Sequence, residues 1–140
     1  MAVTSEATTQ WQGTLTDGSG TVALQSGSGS FPVTWASRSG AGGDTTTPEE
    51  LIGAAHSACY SMALSHALTQ HGTPPESIST TAAVTFQPGT GITGSHLLVS
   101  ARVPGLSPED FQRFAEDAKA NCPVSQALAG VPITLEATLA

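Results

Sequence analysis

Short apolar-polar alternations fill the first third of the chain, and one long run without charge follows them. Strand-like alternation at 10–16, 21–26 and 31–36 predicts three short strands. They are separated by Asp17-Gly18-Ser19-Gly20 and Gly27-Ser28-Gly29-Ser30, both turn-forming and the first a hairpin signal. A glycine-rich stretch, 37–46, containing Arg38, Gly40, Gly42 and Gly43, reads as a flexible loop. A helix is then announced by Thr47 at the N-cap, Pro48 at the first helical position and Glu50 three beyond the cap, a capping box. It is predicted over 48–71 and stops ahead of Gly72 and Pro74-Pro75. Strands at 78–87 and 94–103 flank Pro88-Gly89-Thr90-Gly91. Ser107-Pro108-Glu109-Asp110 opens a helix reaching residue 121, with Phe111, Phe114, Ala115 and Ala118 at helical spacing. A short helix over 123–130 and a last strand over 133–139 complete the order βββ-α-ββ-αα-β. That order predicts an α+β fold with antiparallel sheets around a long central helix, as a single domain spanning 1–140.

The central helix makes its own demands. At 1.5 Å per residue, 48–71 spans about 36 Å, whereas a chain of this size has a radius of gyration of roughly 14 Å. No Asp, Glu, Lys or Arg occurs between Leu51 and Pro75, so the helix needs cover on every side. One small sheet cannot supply it. A homodimer in which the helix packs against its twin is therefore predicted, with Gly53, Ala54, Ala55, Ser57, Ala58 and Ser61 letting two backbones approach closely. A membrane span is the other reading of such a run. His56, Ser57, Ser61, Ser65, His66, Thr69 and Gln70 inside it, and Ala in place of Leu, argue against insertion.

Composition narrows the partners. Charged residues make up 11% of the 140-residue chain, against roughly a quarter in an average globular protein, which fits a surface partly covered by a second copy. Four basic residues against 11 acidic ones, with net charge −7, disfavour nucleic acid and anionic membrane. The first residues, MAVTSEATTQWQG, do not read as a secretory signal, so a cytoplasmic location is expected. In a reducing compartment, two cysteines are more often catalytic, redox-sensing or simply buried than a permanent crosslink.

Those cysteines are the candidate chemistry. Cys59 lies in the middle of the uncharged helix and Cys122 just before Pro123. A buried cysteine is commonly just a small apolar group. Cys122 changes that balance: near the start of a short helix, backbone N–H groups and the positive dipole end favour a reactive thiol. A thiol needing activation plus a second thiol suits a peroxide-reducing or disulfide-exchanging enzyme. Arg38 and Glu50 are the candidate activators, although a loop arginine is usually solvated and the capping box already accounts for Glu50. Glu50 and Cys59 are nine residues apart, about 13 to 14 Å along one helix and on opposite faces. If both serve one site, it is expected at the dimer interface. His56, one turn before Cys59, is a candidate base or metal partner. No CxxC or HxxxH accompanies it, so no metal is expected. The glycines near Arg38 lack the Lys-Ser/Thr of a phosphate loop, and no GxSxG elbow is present.

Two segments carry a family resemblance. TTTPEELIGAAHSACYSMALS and NCPVSQALAG closely resemble the hallmark segments of the OsmC (osmotically inducible protein C) family, sister to the organic hydroperoxide resistance proteins. The likeness extends through SPEDFQRFAEDAKANCPVS, and HSAC and ITLEATL look more like the OsmC branch. The resemblance implies a thiol-dependent peroxidase that reduces organic hydroperoxides, and hydrogen peroxide less well, in oxidative or osmotic stress defence. It implies Cys59 as the peroxidatic cysteine, Cys122 as the resolving cysteine, and Arg38 and Glu50 as the polar pair activating the thiolate. Thr47 stands where the family's asparagine is expected before Pro-Glu-Glu. The implied partners are a hydroperoxide, a second copy of the chain in an intertwined homodimer, and an external dithiol such as a lipoyl-type one; no cofactor is implied. Leu51, Ile52, Tyr60, Met62 and Phe111 are expected to make the surroundings apolar. The alternative is a non-catalytic dimer that senses oxidation or binds an apolar ligand.

Overall fold

Two residues of near-zero size set the geometry of the elements they sit in, one in each of two compact units. A computed structural model describes residues 1–140, which divide into Met1–Leu51 and Ile52–Ala140. In the first unit, β1 (Ala7–Gln12), β2 (Ser19–Leu24) and β3 (Ser30–Val33) form an antiparallel sheet in that order. Gly20 lies opposite both Trp11 and Val33. A side chain there would meet the Trp11 ring at 2.7 Å and Val33 at 3.2 Å, so glycine is what lets the indole lie across β2.

The stretch expected to be a flexible loop is in part a helix, α1 (Trp35–Ser39). Thr34 caps it by accepting from the Ser37 N–H, and Gly40, at φ 80°, ends it in the left-handed region. The following loop is tied back by hydroxyls. Ser37 Oγ accepts from the Thr45 N–H at 3.1 Å and from Thr45 Oγ1 at 2.8 Å. The sequence signal missed here is a Thr-x-x-Ser cap hidden among glycines.

Helix α2 (Pro48–Gln70) begins in the first unit and continues through the second. Half of its capping box forms: the Glu50 N–H donates to Thr47 Oγ1 at 3.0 Å, while the Glu50 carboxylate accepts from Thr46 Oγ1. In the second unit its buried positions recur every fourth residue: His56, Tyr60, Leu64 and Leu68, all fully buried. Gly53 extends that side, where a Cβ would come within 2.8 Å of the Ala82 carbonyl oxygen. Its small size thus serves its own sheet, not the twin helix proposed from sequence. Ala54, Ala55, Ala58 and Met62 lie on the other side and are exposed.

β4 (Ser77–Gln87) and β5 (Gly91–Arg102) pair antiparallel as expected. β6 (Ile133–Leu139) does not follow the expectation: it pairs parallel to β5. The reason lies between them. The chain crosses over through α3 (Pro108–Asn121) and α4 (Pro123–Ala127), a connection long enough to bring the next strand back in the same direction, as a short turn could not. The class remains α+β. Leu97, Val99 and Ala101 of β5 pack with Tyr60, Leu64, Leu68, Phe111 and Cys122 in one core cluster. No helix is long and apolar enough to cross a membrane.

Candidate active site

Cys122 sits at the junction of two helices. Its N–H closes α3 onto the Ala118 carbonyl at 2.9 Å, and its carbonyl accepts from the Gln126 N–H at 3.0 Å to start α4. Pro123 at the first helical position fixes the turn between them. This places a fully buried thiol against half-buried Cys59 of α2, and both thiols are free. Burial raises the Cys59 pKa above its ordinary value, and a hydrogen bond with Cys122 and the charge of that residue push it the same way. The Val124 N–H, in the first turn of α4, bonds to the Cys59 sulfur and pulls its pKa down. The short helix therefore aims its N–H at Cys59, not at Cys122, whose side chain makes no capping bond. In the reduced state the two thiols share one mostly apolar cluster, Cys122 within it and Cys59 packed against it.

His56 is fully buried one turn before Cys59. Its Nδ1 lies 2.7 Å from Ser95 Oγ of β5, and its Nε2 lies 2.8 Å from Ser125 Oγ of α4. Both ring nitrogens are thus engaged, which removes it as the base for Cys59 considered from sequence. Burial lowers its pKa, so the ring is neutral, donating through one nitrogen and accepting through the other. The four-residue spacing with Tyr60, Leu64 and Leu68 was the signal that it faces the core. Tyr60 and Phe111, expected near the thiol as apolar surroundings, are both fully buried core residues, and Met62 is 72% exposed.

In the first unit Arg38, in the last turn of α1, forks onto a carboxylate. The partner is Glu49: Nε lies 3.2 and 3.3 Å from its two oxygens, and Nη2 lies 3.0 Å from Oε2. Glu49 is 5% exposed, so this is a nearly buried, charge-assisted bidentate pair. Glu50, read from sequence as the partner of Arg38, is exposed and instead accepts from Thr46 Oγ1 at 2.6 Å. Successive helical residues differ by about 100°, and the inward direction at the start of α2 belongs to Glu49. Arg38 also borders a cavity of about 300 Å³ walled by Trp11, Val22, Val33, Trp35 and Leu51. A guanidinium oriented by a carboxylate at the edge of an apolar cavity can bind a polar head attached to an apolar tail.

An α+β chain with two adjoining free thiols, one on a long helix and one at a helix junction, belongs to the class of dithiol proteins. The particular family is settled by comparison with known proteins: the chain belongs to the OsmC-like protein family, whose model matches residues 41–136. It is 42% identical over 132 residues to "Peroxiredoxin OsmC" of Escherichia coli, covering 91% of this chain and 92% of that one. It is 34% identical over 102 residues to the organic hydroperoxide resistance protein of Xanthomonas axonopodis pv. citri, 69% of each chain. The crystal structure of an organic hydroperoxide resistance protein from Elizabethkingia anophelis superposes with a TM-score of 0.71 at 28% identity, covering 100% of this chain and 97% of that one.

Proposed function

We propose that this OsmC-family chain, a cysteine-based peroxidase, reduces organic hydroperoxides through Cys59 and Cys122. The observation that carries the reading is the packing of half-buried Cys59 against the core cluster that contains fully buried Cys122, with both thiols free. The Cys59 thiolate attacks the outer oxygen of ROOH. The O–O bond breaks, an S–O bond forms, and the departing alkoxide takes a proton to become the alcohol. Cys122 then attacks the sulfenic sulfur, giving the Cys59–Cys122 disulfide and water. An external dithiol reduces that disulfide by exchange, is itself oxidised, and returns both thiols.

Because burial holds the Cys59 thiol up, a cation is needed to populate its thiolate near neutral pH. We assign that role to Arg38, oriented by Glu49. The apolar cavity beside Arg38 supports an alkyl tail over hydrogen peroxide itself. Mixed dimers of an Arg38→Ala chain and a Cys59→Ser chain assign the subunit: activity restored on mixing means the arginine acts across subunits. A homodimer is part of this reading, supported by the exposed Ala54, Ala55, Ala58 and Met62 stripe and by the half-exposed inner positions of β4. Two free cysteines fit a reducing, cytoplasmic location. Stress defence is the corresponding physiological role.

The test begins with fully reduced protein and one equivalent of cumene hydroperoxide. Loss of two thiols and two mass units per chain, reversed by a dithiol, is expected, followed by steady consumption when both substrates are in excess. A non-catalytic sensor would oxidise once and stop; the apolar cavity would also suit an apolar-ligand binder. Continued hydroperoxide turnover by Cys59→Ser would overturn the scheme.

A further inference from the structure

Helix α4 holds much of the chemistry and is tied down at two residues, Val124, which packs against the core cluster, and Ser125. It is five residues long, and Ser125 is its one buried residue. That residue's side-chain bond goes to His56 Nε2 at 2.8 Å. The histidine is in turn anchored through Nδ1 to Ser95 of β5 at 2.7 Å. One imidazole therefore joins the catalytic helix α2, the central strand β5 and the short helix α4. The N-terminal end of α4 carries Cys122 as its cap, and Val124, the next residue after Pro123, packs against the same core cluster as Cys59. A neutral ring buried between two hydroxyls has a fixed orientation, because each nitrogen has one partner and no room to exchange it.

We propose that His56 is a positioning residue for disulfide closure: through Ser125 it sets α4 so that the Cys122 sulfur lies in line with the Cys59 sulfur. This rests on the dithiol cycle proposed above. In that cycle the bond formed is S–S, the bond broken is the S–O of the Cys59 sulfenic acid, and the leaving hydroxyl departs as water with the Cys122 proton. A misplacement of about 1 Å in such a displacement is worth on the order of a hundredfold in rate. Losing the Ser125 clasp frees a short helix to make that error.

The experiment compares wild type, Ser125→Ala, His56→Gln and Ser125→Thr, each checked for native circular dichroism in the reduced state. Closure is driven two ways, by cumene hydroperoxide and by diamide. Diamide takes up two hydrogens from the dithiol to give the hydrazine and the disulfide, with no peroxidase step. Expected is at least tenfold slower closure with either oxidant in Ser125→Ala and His56→Gln, and recovery in Ser125→Thr, which keeps a hydroxyl. With hydroperoxide, the slow variants should also accumulate sulfenic acid that dimedone traps. Alkylation of Cys59 in a Cys122→Ser background should move to higher pH in Ser125→Ala, because the Val124 N–H is no longer held at the sulfur. Closure within twofold of wild type in folded Ser125→Ala overturns the inference, even if the variant melts earlier. Should His56→Gln fail to fold, Ser125→Ala alone decides, since it removes a single oxygen. Wild type that closes with diamide but not with hydroperoxide overturns the peroxidase reading and leaves the positioning measurement intact.

Discussion

Glu49 and Glu50 are the same residue type one position apart, and the helix gives them opposite environments. Glu49 is buried against Arg38, while Glu50 is exposed and bonded to Thr46. Removing Glu49 leaves the guanidinium without its orienting fork, so Glu49→Ala should lower kcat/KM for an alkyl hydroperoxide by on the order of a hundredfold. Glu50→Ala should change it less than threefold; steady-state assays of both variants check the contrast, and equal losses would refute it. His56 yields a second prediction at this scale. Its folded-state pKa is lowered by burial, with the hydroxyls of Ser95 and Ser125 as its neighbours from β5 and α4. The unfolded chain, titrating near the ordinary value of about 6.5, therefore binds a proton that the native state resists. The contribution of His56 is fully present above about pH 6.5 and falls away as the pH drops toward the lowered native value. Urea unfolding at pH 7.5 and 5.5 should show a smaller loss of stability for His56→Gln than for wild type. The cysteine pair was suggested by the sequence because Cys59 and Cys122 are the only two. The choice between adjacent glutamates was not, because a capping box explains Glu50 without saying which neighbour faces inward.

At the scale of elements, boundaries followed the local chemistry closely wherever a cap or a proline spoke. The start of α2 at Pro48, of α3 at Pro108 and of α4 at Pro123 all follow from proline at the first helical position. What local signals could not give was direction and contact across the chain. The alternation of β6 is the same whether its neighbour runs parallel or antiparallel, so the parallel ladder with β5 emerges only from the crossover. The role of Gly53 was likewise hidden, since a small residue on an apolar helix suits a twin helix as well as a sheet. Its observed contact decides the sign of a substitution. Alanine would gain up to about 1 kcal/mol in helix propensity. Against that stands a Cβ 2.8 Å from the Ala82 carbonyl oxygen, an overpacking that costs about 1 to 3 kcal/mol because backbone must move. Gly53→Ala should therefore be net destabilising by about 1 kcal/mol in urea unfolding, whereas a stabilised variant would mean that α2 and β4 do not approach so closely.

For the whole molecule, the exposed side of α2 is the feature that an isolated chain leaves unexplained. Ala54, Ala55, Ala58 and Met62 recur at helical spacing with no charge among them, and Met62 is 72% exposed. Burying a methionine side chain contributes about 2 kcal/mol, and an intertwined dimer collects that at both copies. A lysine placed there would face a desolvation cost of several kcal/mol unless it found a partner, and the uncharged stripe offers none on its own helix. Met62→Lys should accordingly prevent the proposed dimer while keeping the monomer's secondary structure, because Met62 is largely exposed on its own chain. Light scattering should then give a mass near the 14.1 kDa of one chain, against about twice that for wild type. If Arg38 acts across subunits, hydroperoxide turnover should fall with the dimer and diamide closure of Cys59–Cys122 should persist, because both cysteines belong to one compact unit. A Met62→Lys protein that stays dimeric would move the interface off this stripe, and one that becomes monomeric yet fully active would place Arg38 and Cys59 in the same subunit's site.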